Sequence, residues 1–253
     1  MVTPPAISVV VPFFNSERHI GACIDSLQKQ RGFDEPYELI FVNNQSMDAS
    51  ASVVSQAPGV ILLEEEAPGA YAARNTGIRR ATAPIIAFTD ADCVVDRDWL
   101  KSIRDALREP ALAVVVGFFR YPQRASRLLR LLGAYENAKI DYVLNHCAPA
   151  QHFSYANNMA VRSSVFEEVG LFEEWQRAAD TELIHRLAAR RPDLRVAYRR
   201  SMRITHLEFV GAQSRMARLR LYTQTNSRVE SFRELTLLQR VAALGYLWRH
   251  GSN

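Results

Sequence analysis

Short runs of apolar residues alternate with stretches of helical periodicity along the first half of the chain. The first run, Ile7–Phe13, is almost continuously apolar and ends at polar residues, which is typical of a buried parallel strand. Helical spacing follows, and Asn15 or Ser16 is predicted to cap that helix. The alternation predicts an α/β sheet with mainly parallel strands and right-handed crossovers. The predicted strands are 7–13, 38–42, 60–64 and 85–89, and the predicted later helices are 49–56, 70–80 and 99–107.

Beyond residue 119 the regular alternation stops. A strand over 111–119 precedes a longer helix over 126–144. Further predicted strands are 153–161, 194–198 and 202–205, and further helices are 163–169 and 180–189. We therefore expect one domain over 1–210, with halves 1–119 and 120–210, followed by a helical extension over 211–253. The extension carries one apolar stripe, which packs on the domain or lies on a membrane surface: Leu235, Leu238, Val241, Ala242 and Leu244.

Composition excludes a disordered or fibrous protein. The chain has 253 residues, of which 48% are hydrophobic, enough for a full core. Its three cysteines lie far apart with no C-x-x-C pair, and the residues before Ile7 lack the pattern of a signal peptide. No apolar run approaches the roughly 20 residues that cross a bilayer. These features predict a soluble protein of the reducing cytoplasm.

Positive charge is concentrated in the last quarter of the chain. From residue 186 onward there are fourteen arginines and four acidic residues, while the net charge of the whole chain is +4. Such a segment suits a diphosphate, an anionic lipid headgroup or a nucleic acid, or it is a solvated helix face. It contains no nucleic-acid reading motif, so no nucleic acid is expected. If Arg215, Arg218 and Arg220 face a membrane, the protein associates peripherally with its inner face.

Two carboxylates follow the predicted strand 85–89 directly. Asp90 and Asp92 are spaced so that both side chains reach one region in an extended turn. Two anions placed together repel each other unless a cation or strong donors lie between them. A hard divalent cation, Mn²⁺ or Mg²⁺, meets that need and leaves positions for diphosphate oxygens. The alternative is that both are turn or capping residues before Trp99.

The turn after the first strand excludes two other nucleotide-binding classes. No G-x-G-x-x-G sequence follows Phe13, which argues against a nicotinamide-dependent oxidoreductase. A nucleotidyltransferase would need a glycine-rich, basic loop at the same place. The segment 12–17 is neither glycine-rich nor basic.

Five segments, in order, carry a resemblance to a known family. They are ISVVVPFFN at 7–15, GAYAARNTG at 69–77, IAFTDAD at 86–92, the stretch from NNMAVR to VFEEVG at 157–170, and DTEL at 180–183. Together they resemble the family 2 glycosyltransferases, which have the GT-A fold. The resemblance implies a Rossmann-like mixed sheet whose mainly parallel half, 1–119, binds the nucleotide sugar, whereas 120–210 binds the acceptor.

The resemblance implies a metal-dependent sugar transfer. The donor is a nucleotide-diphosphate sugar, and the acceptor is a carbohydrate, a lipid-linked molecule or a small molecule with a free hydroxyl. Inversion at the anomeric carbon and a place in glycan, polysaccharide or glycolipid synthesis are expected. Asp92 is the principal ligand of the cation, His206 is a further ligand, and Asp90 binds the ribose or the metal. The implied donor-binding residues are Pro12, Phe14, Asn15, Glu17, Asn43, Arg74, Asp90, Ala91 and Asp92.

On the acceptor side, the resemblance makes Asp180 the general base that deprotonates the attacking hydroxyl. The alternative from the sequence is that Asp180 caps the following helix, for which aspartate is well suited. Asn157, Asn158 and Trp175 are the candidate acceptor-binding residues. An aromatic ring such as that of Trp175 packs well against the apolar face of a sugar.

Three positions depart from the family pattern. Asn43 stands where the family usually has an aspartate that accepts a hydrogen bond from the base. The identity of the base as uridine is therefore an open question. Gln45 replaces a common glycine, so the turn there is expected to be reshaped. Ala179 replaces an acidic neighbour of Asp180. These departures keep one alternative open, a non-catalytic module that binds a nucleotide sugar or a glycan.

Overall fold

The computed structural model describes residues 3–175, 177–208 and 233–250, with the side chains of the last segment described up to Tyr246. Eight strands form one sheet in the order β3-β2-β1-β4-β7-β6-β8-β5. The strands are β1 (Ile7–Phe13), β2 (Tyr37–Asn43), β3 (Val60–Glu64), β4 (Ile85–Thr89), β5 (Cys93–Val95), β6 (Leu112–Arg120), β7 (Asn158–Arg162) and β8 (Arg195–His206). The helices are α1 (Ile20–Gln28), α2 (Ser50–Ser55), α3 (Ala70–Arg80), α4 (Trp99–Ala106), α5 (Arg127–His146), α6 (Ser163–Val169), α7 (Ala179–Arg190) and α8 (Leu237–His250), and Pro149–Gln151 is a short 3-10 helix.

The first four strands form the parallel half of the sheet. β1 pairs with β2 on one side and with β4 on the other, and β3 extends the sheet beyond β2, all in parallel. Every residue of β1 is buried, which explains its continuous apolar pattern. The prediction of a mainly parallel N-terminal half is confirmed, and the carboxyl ends of β1, β2 and β4 lie at one edge.

The second half makes the sheet mixed. β7 runs antiparallel between β4 and β6, whereas β6 pairs in parallel with β8. β8 is one long strand where the sequence predicts two, and its pairing with β6 is irregular between Gly117 and Phe118. β7 begins at Asn158, five residues later than predicted. The three-residue β5 was not predicted, because so short a strand carries no periodic pattern.

The predicted side-chain cap of α1 is wrong. The helix begins at Ile20 after His19, without a side-chain cap. Ser16 Oγ instead donates to the carbonyl oxygen of Phe14 at 3.1 Å. Asn15 Oδ1 accepts from the backbone N–H of Met47 at 2.8 Å. The polar residues after β1 therefore tie the two loops at the edge of the sheet to each other.

Apolar side chains pack on both faces of the sheet. In β1, Val9 and Val11 belong to one buried cluster and Val10 to the other, as the two-residue period of a strand requires. α8 packs on α5, where the rings of Tyr142 and Tyr246 lie 6.1 Å apart. Among the described residues, no helix combines the length and the apolar character needed to span a bilayer. The proposed limits of the domain and of its extension remain a prediction, since residues 209–232 lie outside the described part.

Candidate functional site

A cavity of about 640 Å³ opens at the carboxyl ends of β1, β2 and β4. In open α/β sheets this edge is where ligands bind, because the loops that follow parallel strands converge there. The loops after β1 and β4 form one side, and the segments before β7 and α7 form the other. The lining includes two pairs of an acidic and a basic side chain, Asp90 with Arg74 and Asp92 with His206. It also includes the separate carboxyl group of Asp180.

Arg74 supplies a buried positive charge to the wall of the cavity. Its side chain is 5% exposed, and its Nη2 lies 2.5 Å from Asp90 Oδ1. The guanidinium also lies over the ring of Tyr71, 5.2 Å from its centroid. Arg74 Nε is buried without a hydrogen-bond partner in the described part of the chain. The guanidinium therefore neutralises Asp90 and places a positive charge in the cavity wall.

Asp92 and His206 are brought together by the pairing of β5, which was not predicted, with β8, which was predicted as two strands. β5 pairs antiparallel with β8, and in that register Cys93 is opposite His206. Asp92 Oδ2 lies 3.4 Å from His206 Nδ1. Burial, together with the negative charges of Asp90 and Glu208, raises the pKa of Asp92 to about 8. A cation between these groups would restore the charged carboxylate.

The donor atoms at this place fit a hard divalent cation. One ligand atom each from Asp92, Cys93 and His206 lie within 4.8 Å of one another. Carboxylate and imidazole are ligands that Mn²⁺ accepts. Burial raises the pKa of the Cys93 thiol well above its usual value, and its Sγ donates to Asp92 Oδ1 at 3.5 Å. Cys93 thus acts as a hydrogen-bond donor that orients Asp92.

Asp180 lies inside the first turn of α7. The N-cap position is Ala178, in the left-handed conformation with φ 69°, so Asp180 is not the cap. Asp180 Oδ2 accepts from the backbone N–H of Ala156 at 2.8 Å, and Oδ1 accepts from that of Thr181 at 2.9 Å. Tyr71 adds a side-chain hydrogen bond, while burial raises the pKa of Asp180. The carboxyl group is held rigidly and shifted toward basicity.

Ten of the predicted site residues line the cavity. Phe14 is 57% exposed, so its ring is accessible at the opening. Residues predicted for the nucleotide side and residues predicted for the acceptor side therefore line one cavity. The ten are Pro12, Phe14, Asn15, Arg74, Asp90, Ala91, Asp92, Asn157, Asp180 and His206.

Asn158 and Trp175 do not line the cavity. Asn158 is buried, and its Oδ1 accepts from Trp99 Nε1 at 2.9 Å. Its Nδ2 donates to the backbone oxygens of Phe118 and Met202, at 2.9 and 3.0 Å. Both polar atoms are thus occupied in joining β7 to β6 and β8. Trp175 is half-buried away from the cavity wall.

Glu17 and Asn43 also lie off the cavity wall. Glu17 Oε2 accepts from the backbone N–H of Ala49 at 3.1 Å. Asn43 Nδ2 donates to Glu64 Oε2 at 2.8 Å, and its Oδ1 accepts from the N–H of Ser46 at 3.0 Å. An aspartate at position 43 would place two carboxylates in contact. The pairing with Glu64 thus gives a physical reason for asparagine here.

Several lining residues were not predicted. Tyr71 lies in the segment 69–77 that resembles the family, one helical turn before Arg74. Because residues three apart share one face of a helix, this spacing could have predicted that Tyr71 lines the site. Arg177 and Glu208 each lie two or three residues from a predicted residue, but their types alone indicate only solvated loops. The unpredicted residues that line the cavity are Phe13, Ser16, Arg18, His19, Asn44, Ala70, Tyr71, Phe119, Tyr121, Tyr155, Ala156, Arg177, Ala178 and Glu208.

Comparisons with known proteins identify relatives of this chain. The family model described as Glycosyl transferase family 2 matches residues 8–170. Glycosyltransferase AglE of Haloferax volcanii is 29% identical over 177 residues, 67% of this chain and 57% of AglE. The uncharacterized glycosyltransferase EpsJ of Bacillus subtilis is 29% identical over 175 residues, 60% of this chain and 50% of EpsJ. The chain therefore spans about half the length of these relatives.

A solved structure shares the fold. The mannosyltransferase PcManGT from Pyrobaculum calidifontis, in complex with GDP-Man and Mn²⁺, superposes with a TM-score of 0.69. The two sequences are 20% identical, and the alignment covers 100% of this chain and 77% of PcManGT. The predicted GT-A fold is thereby confirmed.

Proposed function

The chain belongs to glycosyl transferase family 2, and from this premise we propose that it transfers a sugar from a nucleotide-diphosphate sugar to an acceptor hydroxyl, with inversion at the anomeric carbon. One observation carries the proposal. A single cavity contains an acid–imidazole pair, Asp92 and His206, a buried guanidinium, Arg74, and a separate buried carboxyl group, Asp180. Metal binding, diphosphate binding and proton removal need these three kinds of group.

The donor binds on the side formed by the loops after β1, β2 and β4. Phe14 offers an exposed ring on which a base stacks, and Asn15 and Asn44 frame the same region. The guanidinium of Arg74 supplies positive charge on the diphosphate side of the cavity, while its Nη2 donates to Asp90. The structure of PcManGT contains GDP-Man, which supports a nucleotide-sugar donor of this general kind.

Asp92 and His206 would hold the divalent cation, while Asp90 is paired with Arg74. A bound Mn²⁺ or Mg²⁺ supplies positive charge to the leaving diphosphate. The presence of Mn²⁺ in PcManGT and the carboxylate–imidazole pair here both support Mn²⁺. Cys93 keeps Asp92 in place through its S–H.

Asp180 removes the proton of the acceptor hydroxyl. The hydroxyl oxygen forms a bond to the anomeric carbon, the bond from that carbon to the diphosphate oxygen breaks, and the proton passes to the carboxylate of Asp180. Backbone N–H groups of Ala156 and Thr181 fix the orientation of the carboxylate before the acceptor arrives. Asn157, at the same wall, contacts the acceptor. Carbohydrate, lipid-linked and small-molecule acceptors all present the required hydroxyl.

The cellular context is part of the same proposal. We expect the enzyme to act in glycan, polysaccharide or glycolipid synthesis, in the cytoplasm, in part at the inner face of a membrane. The arginines on which the membrane prediction was based, Arg215, Arg218 and Arg220, lie outside the described residues.

Turnover with a panel of nucleotide sugars tests the proposal. Purified protein is first screened by thermal shift against UDP-, GDP- and other nucleotide sugars, with Mn²⁺ and with EDTA. Each donor that binds is then assayed for transfer and for slow hydrolysis. We expect at least one donor to stabilise the protein only with the cation and to be turned over. Cation-dependent binding with no turnover on any acceptor would instead identify a non-catalytic nucleotide-sugar module.

A further inference from the structure

Asn75 is buried in the middle of α3, and its amide bonds to groups outside that helix. The residue is 2% exposed. Its Nδ2 donates to the carbonyl oxygen of Phe172 at 2.9 Å, and its Oδ1 accepts from the N–H of the same residue at 3.1 Å. Nδ2 also lies 3.3 Å from Glu174 Oε1. Asparagine is not among the favoured residues of a helix interior, so its contribution lies in these contacts rather than in α3 itself.

Phe172 lies between α6 and α7, and the fold fixes it at both its backbone and its ring. Its N–H and its carbonyl group are the two partners of the Asn75 amide. Its ring, which is 3% exposed, packs against three other rings. They are Tyr71 of α3 at 5.4 Å, Phe88 of β4 at 5.4 Å and Phe166 of α6 at 5.6 Å between centroids. This residue is therefore held against α3 and the sheet.

Arg186 of α7 bonds to the residues just before Phe172. Its Nη2 donates to the carbonyl oxygen of Leu171 at 2.8 Å, and its Nη1 donates to that of Val169. Glu182, one turn earlier in α7, pairs with Arg186 at 2.7 Å and keeps the guanidinium in place. The segment before α7 is therefore bonded to α7 through Arg186 and to α3 through the asparagine amide.

The two helices joined in this way carry groups from the two sides of the site. α3 contains Arg74, which pairs with Asp90 at the wall of the cavity. α7 contains Asp180 in its first turn, two residues after Ala178, whose φ of 69° is in the left-handed region. A residue other than glycine keeps this conformation only where neighbouring contacts enforce it. The contacts of Asn75 therefore constrain where Asp180 lies relative to Arg74.

We propose that Asn75 is a positioning residue for sugar transfer, which sets the place of Asp180 relative to the donor through residues 171–172 and Arg186. The inference rests on the proposed function, in which Asp180 removes the acceptor proton. Asn75 does not line the cavity, so it acts through these contacts and not on a substrate directly. A displacement of about 1 Å at a reacting group can cost roughly 10²-fold in rate. Loosening these contacts therefore slows the chemical step and leaves donor binding intact.

Asn75→Ala tests the proposal in the full chain, with the donor and the acceptor that the nucleotide-sugar panel identifies. At saturating substrate, the rate of a single turnover should fall by about 10²-fold, whereas the donor Kd should change by less than about twofold. Arg186→Lys gives a second test if the alanine variant does not fold, because lysine keeps a charge beside Glu182 but cannot bond both carbonyl oxygens. It should lower the rate in the same way by a smaller factor. Wild-type rates in these variants, or an equal loss of donor affinity, would overturn the proposal.

A double-variant cycle with Asp180→Asn separates positioning from a general loss of structure. If Asn75 acts through Asp180, adding Asn75→Ala to Asp180→Asn should lower the single-turnover rate by less than about threefold. Two losses that multiply in full would show that Asn75 does not act through the base, and the proposal would fail while the proposed function stands. No transfer by the wild type with any donor and acceptor would refute the proposed function itself, and the role of Asn75 with it.

Ser8→Ala is the matched control for lost hydrogen bonds. Ser8 is fully buried near the start of β1, where its Oγ donates to Glu38 Oε1 at 2.5 Å and accepts from the N–H of Ala83 at 3.1 Å. The cavity opens at the other end of β1. This variant should also lower the melting temperature, but its single-turnover rate should stay within about twofold of the wild type. A rate loss equal to that of Asn75→Ala would show that reduced stability explains both, and would overturn the proposal.

Discussion

Arg74 links the two acidic parts of the site at the scale of single residues. It pairs with Asp90, and its positive charge also lowers the pKa of Asp180, against the stronger effect of burial. Tyr71 contacts both groups, through its ring to Arg74 and through a hydrogen bond to Asp180. A change in charge beside Arg74 therefore affects Asp180, the proposed base, through two contacts, from Arg74 to Tyr71 and from Tyr71 to Asp180.

Asp92→Asn should abolish cation-dependent donor binding. The substitution removes the carboxylate that we propose as the principal ligand. Changing a residue that only hydrogen-bonds to a metal ligand costs roughly 10–100-fold in affinity, so loss of the ligand itself should cost at least as much. Because burial raises the pKa of Asp92, its neutral replacement should not lower the melting temperature. Calorimetric titration of donor with Mn²⁺ and with EDTA measures the effect.

Asp96→Asn is the matched control for this variant. Asp96 follows β5 but forms an ion pair with Arg120, outside the cavity lining. It should bind donor like the wild type. Normal Mn²⁺-dependent affinity in Asp92→Asn would remove Asp92 from the cation site.

Asp180→Asn should lower kcat by about 10²–10⁴-fold while donor affinity stays near normal. Both carboxylate oxygens accept a backbone N–H, and an amide offers only one acceptor. We therefore also expect a loss of about 1–3 kcal/mol in the free energy of unfolding. Single-turnover transfer, donor titration and denaturant unfolding separate the effects.

Thr181→Val supplies the control for the stability loss. Thr181 Oγ1 accepts from the N–H of Ser154 at 3.4 Å, so the variant loosens the same turn and keeps the carboxylate. It should retain most of its activity. If Thr181→Val loses activity as Asp180→Asn does, a loosened turn explains both and Asp180 is not the base.

Backbone conformation explains one departure from the family pattern. Gln45 has φ 65°, in the left-handed region that glycine adopts without strain. Gln45 therefore has a backbone conformation that glycine would adopt without strain, and the expected reshaping of the turn stays a prediction. Asn15 and Ala178 also have positive φ, at 45° and 69°, and both line the cavity. Such residues concentrate at functional sites.

At the scale of elements, the periodicity of the sequence predicted the strands and helices with long apolar patterns and missed the short strand β5. The parallel strands and the helices of the first half follow from long apolar patterns, such as that of Ile7–Phe13. β5 has three residues and no pattern, yet its register brings Cys93 opposite His206. The sequence indicated His206 through a resemblance. Its approach to Asp92 depends on a tertiary pairing that no local pattern encodes.

The helix α3 provides a stability test at this scale. Gly77 lies in the segment 69–77, and an added Cβ would lie 2.3 Å from Val10 Cγ1 on β1. Gly77→Ala should therefore force α3 away from the sheet and cost about 1–3 kcal/mol. Because Arg74 is one turn earlier on α3, donor affinity should fall as well. Denaturant unfolding and donor titration measure both effects.

Gly21→Ala is the matched helical control. Gly21 lies in α1, and an added Cβ would meet nothing within 4 Å. Alanine is the better helix former, so this variant should gain about 0.5–1 kcal/mol. Equal stability of the two variants would show that α3 does not need a close approach to β1.

For the whole molecule, the sequence predicted the sheet, its ligand-binding edge and ten of the residues that line the cavity, whereas fourteen others were not predicted. The failures have physical causes. Asn158 sits in a quoted family segment, but its amide is used to join three strands. Asn43 is held by Glu64, which is distant in sequence. A polar residue type shows that a side chain can bond a ligand, whereas its partner is decided only when the strands are assembled.

The acceptor-side half predicts a pH dependence of stability that belongs to the molecule as a whole. His152 Nε2 lies 3.1 Å from the carbonyl oxygen of Cys147, and His185 Nε2 lies 2.8 Å from that of His152. These contacts connect the end of α5, the loop before β7 and α7. Burial lowers the pKa of both histidines from 6.5. The unfolded chain therefore binds protons at a higher pH than the folded one.

The sign of the effect follows from this difference. Above the unfolded pKa, about 6.5, both states are neutral and the full stability is present. As the pH falls from there through the lowered folded pKa, the unfolded chain takes up protons first and the free energy of unfolding decreases. His152→Gln/His185→Gln should make the curve flatter between about pH 7.5 and 5.5, because glutamine donates to the same carbonyls without titrating. Denaturant unfolding of the wild type, both single variants and the double variant measures it. Parallel curves for the wild type and the double variant would show that these histidines do not couple protonation to folding.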